Sequence, residues 1–345
     1  MIDWLSFNLP LDWQEPINDG RFVSLRWDGS VEYQTDKSLR LEGSHQSSLS
    51  VRSVERGMLE VRGNPAKWFQ GHNLFGTDDL HGLFLATAVR IAEVVGVEPS
   101  SEDLAAWVRG DVALSRVDCT AMYELDTRTD VLEWLRAASG IASVKYRGRG
   151  HFQEGTLTFG MVNKGGRAKD WQLVLYAKGE EISLVGHHLA DGLPWREQLM
   201  DWADNKLRME LRLRTRELKR FGLHTVGAWG PSQCSETLGR YLGKVDMSEQ
   251  QLVHVDIPEH PGLKSRHKQA IACWRSGVDM KSVMPRQTFY RVRKELMELC
   301  DLDIGSRANV SNVVPLRRVL EARPASLPSF ASDVLFVPPP RLRAA

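Results

Sequence analysis

Between residues 207 and 213 apolar and charged side chains alternate without a break. Leu207, Met209, Leu211 and Leu213 stand against Arg208, Glu210 and Arg212, and Arg214 extends the charged set. A period of two marks a β-strand with unlike faces, so this segment predicts a strand with one apolar and one charged face. Shorter alternating or apolar runs predict strands over 1–11, 21–27, 31–35, 49–60, 112–125, 155–162 and 171–178, several of them separated by turn residues. Helical spacing takes over at 80–95, where Leu80, Leu83, Phe84, Ala88, Ile91 and Val95 recur on one face. Thr77 or Asp78 is expected to cap that helix and Gly96 to stop it. Shorter helices are expected over 101–108, 127–138 and 195–205. Hairpin spacing outnumbers βαβ spacing, which predicts an α+β fold around an antiparallel sheet.

After about residue 230 the pattern turns helical, and Gly230-Pro231 makes a boundary. The expected organisation is a sheet domain over 1–230, a smaller helical domain over 231–323, and a flexible Pro-, Ser- and Ala-rich tail over 324–345. Within the helical domain, a helix over 267–275, a turn at Ser276-Gly277 and a longer basic helix over 286–299 have the layout of a helix–turn–helix. In such a unit the second helix reads DNA, so Arg286, Gln287, Arg291 and Lys294 are candidate contacts.

Charge sharpens this picture. The 345 residues carry a net charge of only +1. Yet nine Lys and Arg fall between Lys264 and Lys294 against the single acid Asp279, and seven basic residues fall between Lys206 and Arg220 against two acids. Local basic fields suit a polyanion, although solvated faces would look the same. The four cysteines are scattered, which argues against a zinc ribbon or a disulfide framework and fits a reducing cytoplasm. No run approaches the length of a membrane span. The opening Met1-Ile2-Asp3-Trp4 does not read as a secretory signal.

Four places carry candidate chemistry. On the charged face at 207–213, a lone carboxylate, Glu210, among Arg208, Arg212 and Arg214 could hold a metal while the arginines hold phosphate; the alternative is a solvated sheet face laced with ion pairs. Arg116, Asp118 and Thr120 share one strand face, and an acid within a strand suggests a specific placement, such as on a metal, rather than an exposed edge. His72 lies in a Gly-bounded loop that opens onto a helix, where it is a possible metal ligand or a simple turn residue. Tyr176 and Lys178 are expected on one side of a strand. A strand tyrosine ordinarily packs; as a nucleophile it would need its phenol activated, with Lys178 stabilising phosphate charge.

Taken in order, certain blocks resemble the replication initiators of filamentous bacteriophages, the gene II type. They are Met1-Ile2-Asp3, the run from Pro65 through Gln70-Gly71-His72-Asn73-Leu74-Phe75-Gly76-Thr77, Ser115-Arg116-Val117-Asp118, the strand at Tyr176, Glu210-Leu211-Arg212 and Phe221-Gly222-Leu223. Met284-Pro285-Arg286 and Asn312-Val313-Val314-Pro315-Leu316 complete the set. The resemblance implies a rolling-circle initiator whose antiparallel-sheet nuclease domain nicks the plus strand of double-stranded phage DNA. It implies a 5′-phosphotyrosyl intermediate at Tyr176, a free 3′ hydroxyl, and later rejoining of the displaced strand. His72, Asp118 and Glu210 would then form a site for Mg²⁺ or Mn²⁺, by analogy with related rolling-circle enzymes. The chain departs from that wider class in lacking a His-hydrophobic-His motif, since His187-His188 is adjacent. Arg116, Arg208, Arg212 and Arg214 would contact DNA. Expected partners are double-stranded origin DNA, the displaced single strand, and a host helicase and polymerase. The setting would be the bacterial host cytoplasm, with no membrane involved, and assembly of several copies on DNA is compatible. Two alternatives stay open: a non-catalytic origin-binding protein, and a metal-independent tyrosine recombinase.

Overall fold

The computed structural model describes residues 1–13, 16–144, 148–160, 170–246, 261–275, 278–300, 302–305 and 322–339. In chain order its elements begin with β1 (Ile2–Pro10), the ribbon β2 (Arg21–Leu25) and β3 (Val31–Asp36), then β4 (Leu39–Glu42), β5 (Ser48–Glu55) and β6 (Met58–Gly63). Three helices follow, α1 (Pro65–Gln70), α2 (Leu80–Val95) and α3 (Ser101–Arg109), then β7 (Ala113–Glu124) and α4 (Arg128–Ile141). Short strands β8 (Ser143–Val144), β9 (Gly148–Arg149), β10 (His151–Gln153) and β11 (Thr156–Phe159) lead to β12 (Trp171–Ala177). After α5 (Lys178–Ser183) and α6 (Arg196–Ala203) come β13 (Lys206–Arg214), α7 (Thr215–Arg220), α8 (Gln233–Leu242) and β14 (Val245–Asp246). The remainder is α9 (Ser265–Arg275), α10 (Met280–Val283), α11 (Arg286–Cys300), β15 (Arg323–Pro324) and α12 (Ala331–Val334).

One antiparallel sheet organises the first unit, in the order β10-β11-β12-β13-β7-β1-β6-β5-β4, with β15 added to the end of β7. Alternation decides its two faces. Leu5 and Phe7 of β1, Val117 of β7, Leu173 and Leu175 of β12, and Leu207 and Leu211 of β13 point to the apolar side, which α2, α3, α4 and α8 cover. Phe7 meets Phe84 of α2 edge-on, with ring centroids 5.2 Å apart. Each such large side chain removed from water contributes about 1.5–3 kcal/mol. Helix α2 begins where the Asp79 side chain accepts the Gly82 amide and ends at Gly96, whose φ of 69° suits glycine. The cap is thus Asp79 rather than Thr77 or Asp78. Ser100 and Asp103 form a capping box on α3.

Several expectations need correction. The strand expected over 49–60 is a hairpin, β5 and β6, because Gly57 at φ 74° permits a tight turn. The strand expected to include Lys178 stops at Ala177, and Lys178 opens α5. The sheet unit does not end at 230: Cys234, Leu238 and Tyr241 of α8 lie in its core, and β14 pairs with β8.

The helical unit has its own core, in which Ile271 and Trp274 of α9 meet Met280 of α10 and Phe289, Val292 and Leu296 of α11. The expected turn at Ser276-Gly277 and the Asn312–Leu316 block lie outside the described residues. The tail expected to be flexible is docked as far as it is described. Arg323 and Pro324 pair with Glu124 and Tyr123, Phe330 stacks on Trp195, and Phe336 stacks on Phe69 at 4.1 Å. Its composition suggested disorder, but backbone pairing and two aromatic anchors tie it down. The helical unit therefore lies in sequence between segments that both pack on the sheet unit. No helix among the described residues is long and apolar enough to cross a membrane.

Candidate active site

The second face of the sheet carries most of its polar and charged residues. Residues opposite one another in an antiparallel pair share a face. By register that face carries Tyr176 on β12, Arg208, Glu210 and Arg212 on β13, Arg116 and Asp118 on β7, and Trp4 and Ser6 on β1. The β13 end is not solvated: Arg208 is 0% and Glu210 5% exposed. A layer built from Leu74, Phe75, Ile182, Leu193 and Ala331 covers that side, with Met122 packed against it.

A buried charge is costly unless paired and hydrogen-bonded, and the pairing here is extensive. A β-bulge between Ile2 and Trp4 falls at Asp3, the kind of irregularity that re-aims a side chain. Asp3 Oδ1 lies 2.7 Å from Arg208 Nη2 and accepts hydrogen bonds from Asn64 Nδ2 at 2.7 Å and Asn73 Nδ2 at 3.1 Å. Asn64 also caps α1 by accepting the Lys67 amide. Arg208 Nη1 donates to the Asn73 carbonyl. Lys178 Nζ donates to Asn73 Oδ1 at 3.1 Å and to Glu181 Oε2 at 2.6 Å. Asn73 thus holds Asp3, Lys178 and Arg208 at once.

Beside this lattice stands Tyr176, opposite Arg208. Its hydroxyl donates to Glu210 Oε2 at 3.4 Å, and Lys178 Nζ lies 6.0 Å from the ring centre. Burial, reinforced by the Glu210, Glu181 and Asp3 carboxylates, pushes the phenol well above its ordinary pKa, whereas Arg208 favours the phenolate. Burial and then Arg208 lower the Lys178 pKa, with Glu181 opposing. Burial opposes ionisation of Asp3 too, yet Arg208 and Lys178 hold its pKa below the ordinary value.

On the far side, Arg212 Nε donates to Glu210 Oε1 at 2.6 Å and Arg116 grips Asp118 through two nitrogens, Nε at 2.7 Å. The Arg116 guanidinium lies 4.7 Å over the Trp4 ring. Burial pushes Asp118 up to about 7; Arg116 pulls it down and Glu210 adds to the rise. Two neighbouring carboxylates fit Mg²⁺, which uses one or two carboxylates, keeps several waters and completes its shell with substrate phosphate.

His72 stands apart from these carboxylates. Its ring packs on Phe75, its Nε2 makes no well-formed hydrogen bond, and the cations Lys178 and Lys67 act on it. Burial lowers its pKa to about 4, against a smaller opposing influence from the Val334 backbone. Among the described residues no three His, Cys, Asp or Glu side chains gather around one point. The three expected metal ligands therefore divide into a pair, Asp118 and Glu210, and a separate histidine.

The other candidates divide as well. Arg208 was expected on DNA; enclosed between Asp3 and Asn73, it acts inside the protein. Arg116, Arg212 and Arg214 are half-buried on the polar face. Arg286, Gln287, Arg291 and Lys294 lie exposed on α11, with Tyr290 between them. Residue patterns did not single out Asp3, Asn73 and Glu181. An acid inside a strand was a usable signal for Asp3, as it was for Asp118.

Similarity to known proteins agrees with the geometry. Two family models match, for the N-terminal and C-terminal parts of a phage replication-associated protein, over residues 1–232 and 265–334. The chain belongs to this replication-associated protein family. The replication-associated protein of Enterobacteria phage I2-2 is 36% identical over 348 residues, covering 97% of this chain and 98% of that one. Its counterpart from Enterobacteria phage M13 is 27% identical over 228 residues, 56% of this chain and 52% of that one. The expected kinship with filamentous-phage replication initiators holds. No solved structure matches this replication-associated protein.

Proposed function

We propose that this replication-associated protein starts rolling-circle replication by cutting one strand of double-stranded phage DNA with Tyr176. The observation that carries the reading is the Tyr176 hydroxyl 3.4 Å from Glu210, on a sheet face shared with Asp118, Arg116 and Arg212. Tyr176 would attack the scissile phosphorus while Glu210 takes the phenolic proton. The phosphorus–O3′ bond breaks, the 3′ oxygen leaves as a hydroxyl after protonation, and the 5′ phosphate stays on the tyrosine. Attack by a 3′ hydroxyl on that linkage reverses the exchange and joins strands without ATP. Lys178 and Arg208, facing the phenol, favour the phenolate as it forms.

The polar cluster pairs its acids with bases: Asp3, Asp118, Glu181 and Glu210 with Lys178, Arg116, Arg208 and Arg212. A phosphodiester brings a further negative charge beside these carboxylates, which calls for positive charge. Asp118 and Glu210 would hold Mg²⁺ or Mn²⁺, which when bound supplies that positive charge and stabilises the developing phosphorane. His72 has no assigned part in the reaction. In the helical unit, α11 would enter the major groove with Arg286, Gln287, Arg291 and Lys294. Origin DNA and its displaced strand are the expected ligands, with a host helicase and polymerase acting next, in the bacterial cytoplasm.

The test is a nicking assay on supercoiled origin DNA. Wild type with Mg²⁺ should give nicked circles carrying covalent protein, and EDTA or Tyr176→Phe should give none. Nicking by Tyr176→Phe would overturn the nucleophile. A second reading, a purely origin-binding protein, draws on the exposed basic face of α11. Salt-sensitive specific binding with no cleavage under any divalent ion would favour it.

A further inference from the structure

The ribbon β2–β3 stands outside the main sheet, and its side chains break the usual rule for exposed ribbons. Phe22, Val23, Leu25, Val31 and Tyr33 are each at least half exposed, and Trp27 at the tip is 108% exposed. Register divides them between both faces. Phe22 and Tyr33 share one, because Phe22 lies opposite Thr35 and Ser24 opposite Tyr33; Val23, Leu25 and Val31 share the other. A ribbon that docks on a protein collects its apolar residues on one side. This one presents them on two, and nothing among the described residues covers them, although an isolated hairpin is at best marginally stable in water.

The tip is built to hold its shape. Asp28 accepts hydrogen bonds from the Ser30 amide at 2.9 Å and from the Ser30 hydroxyl at 2.6 Å. The Arg26 amide bonds to the Ser30 carbonyl, and the Gly29 amide to the Arg26 carbonyl. Gly29 takes φ 82°, a conformation that favours glycine. The acids nearby are engaged within the ribbon or at its base: Asp36 with Arg21, Glu32 with Ser24 and Asp19 with Lys37. The Arg26 side chain has no partner among the described residues. Arg26 and the Trp27 indole are therefore both exposed at a closed turn.

The base of the ribbon sits at one end of the polar sheet face. Arg52 of β5 donates to Thr35, and the space between the ribbon and β5 is a groove of about 300 Å³ bounded by Arg21, Asp36 and Arg52. From β5 the same face runs through Arg62 on β6, Ser6 on β1, and Arg116 on β7 to β12. Five strand steps separate β5 from Tyr176 on β12, roughly 24 Å at the usual strand spacing.

We propose that the β2–β3 ribbon is a strand-separating pin: Trp27 enters the origin duplex, unpaired bases stack on both faces of the ribbon, Arg26 holds a phosphate, and one strand is led along the Arg62 and Arg116 end of the polar face towards Tyr176. Two apolar faces suit two separated strands, and an exposed indole on a hydrogen-bonded turn is the kind of wedge that unstacks a base step. The proposal rests on the reading of Tyr176 as a DNA-cutting residue for the direction of the track, but opening of the duplex can be measured without cutting.

The full-length protein supplies both measurements. Permanganate reactivity of origin thymines is followed in a Tyr176→Phe background, so that opening is read in the absence of cleavage. Cleavage is then compared between a supercoiled plasmid carrying the origin and a single-stranded oligonucleotide spanning the mapped nick. Trp27→Ala should abolish thymine reactivity and slow duplex nicking about tenfold or more, the loss of one base–aromatic stack, while oligonucleotide cleavage stays within about twofold. Trp27→Phe should restore most of both. Wild-type levels of opening and duplex nicking in Trp27→Ala would overturn the pin, as would an equal loss on both substrates. A change in sedimentation mass on Trp27→Ala would overturn it too, assigning the ribbon to contact between protein copies. If Trp27-dependent opening occurs while wild type cuts neither substrate, the pin stands and the nuclease reading falls.

Discussion

The two basic regions of this chain look alike in sequence and are opposite in space. On β13, Arg208 is enclosed by Asp3 and Asn73, and Arg212 is held by Glu210. On α11, Arg293 and Glu295 are bound internally to Asp303 and to Arg266 with His267, but Arg286, Arg291 and Lys294 face solvent. Charge on the β13 face is paired inside the protein; on α11 Arg286 and Arg291 leave an open basic surface. A run of arginines therefore indicates a polyanion partner only where the fold leaves the guanidiniums free.

The sharpest way to break this contrast is to separate cutting from binding. Tyr176→Phe should lower nicking by at least about a thousandfold, as removal of a covalent nucleophile does, while filter binding to origin DNA is unchanged. Loss of binding would mean that the sheet face, not α11, carries the affinity. Next in size is stability. Asp3→Ala leaves Arg208 buried without its carboxylate and should cost about 3–5 kcal/mol in urea denaturation, whereas Arg291→Ala should stay within about 0.5 kcal/mol. Equal effects would erase the distinction between scaffold and surface. The double substitution Arg291→Ala and Lys294→Ala should weaken binding and reduce the slope of log affinity against log salt by about two, near one for each phosphate no longer neutralised. An unchanged slope would remove these residues from the interface.

The smallest effect concerns pH. His72 has a pKa of about 4 in the folded protein, below its ordinary value of 6.5, because burial disfavours its charge. Between those values the unfolded chain binds a proton that the folded one does not, so stability falls as pH drops from 6.5 towards 4. Urea midpoints across that window should decline less in His72→Gln than in wild type. Parallel curves would mean that His72 is not buried as the structure has it.

Much of the architecture was legible from local pattern. The alternation at 207–213 marked β13 and its two faces, helical spacing marked α2 almost to the residue, and Asp118 falls within a strand, β7, as its pattern predicted. The misreadings share a cause. Lys178 continued the period of its strand, yet it opens α5, with its buried ammonium held by Asn73 and Glu181. The Pro-rich tail had a disordered composition, yet Phe330 and Phe336 found aromatic partners more than a hundred residues away in sequence. His72 sat in a Gly-bounded block with no sign of which charges would surround it.

Sequence by itself determined the two faces of β13, the extent of α2, and which family the chain resembles. Those properties depend on neighbours a few positions apart. Only the tertiary structure decided that the charged face of β13 is covered, that Asp3 and Asn73 organise Lys178 and Arg208, and that Asp118 and Glu210 adjoin while His72 does not. The contacts that Asn64 makes with Asp3 and that Asn73 makes with Lys178 and Arg208 join residues from 61 to 135 positions apart, and no local period records them.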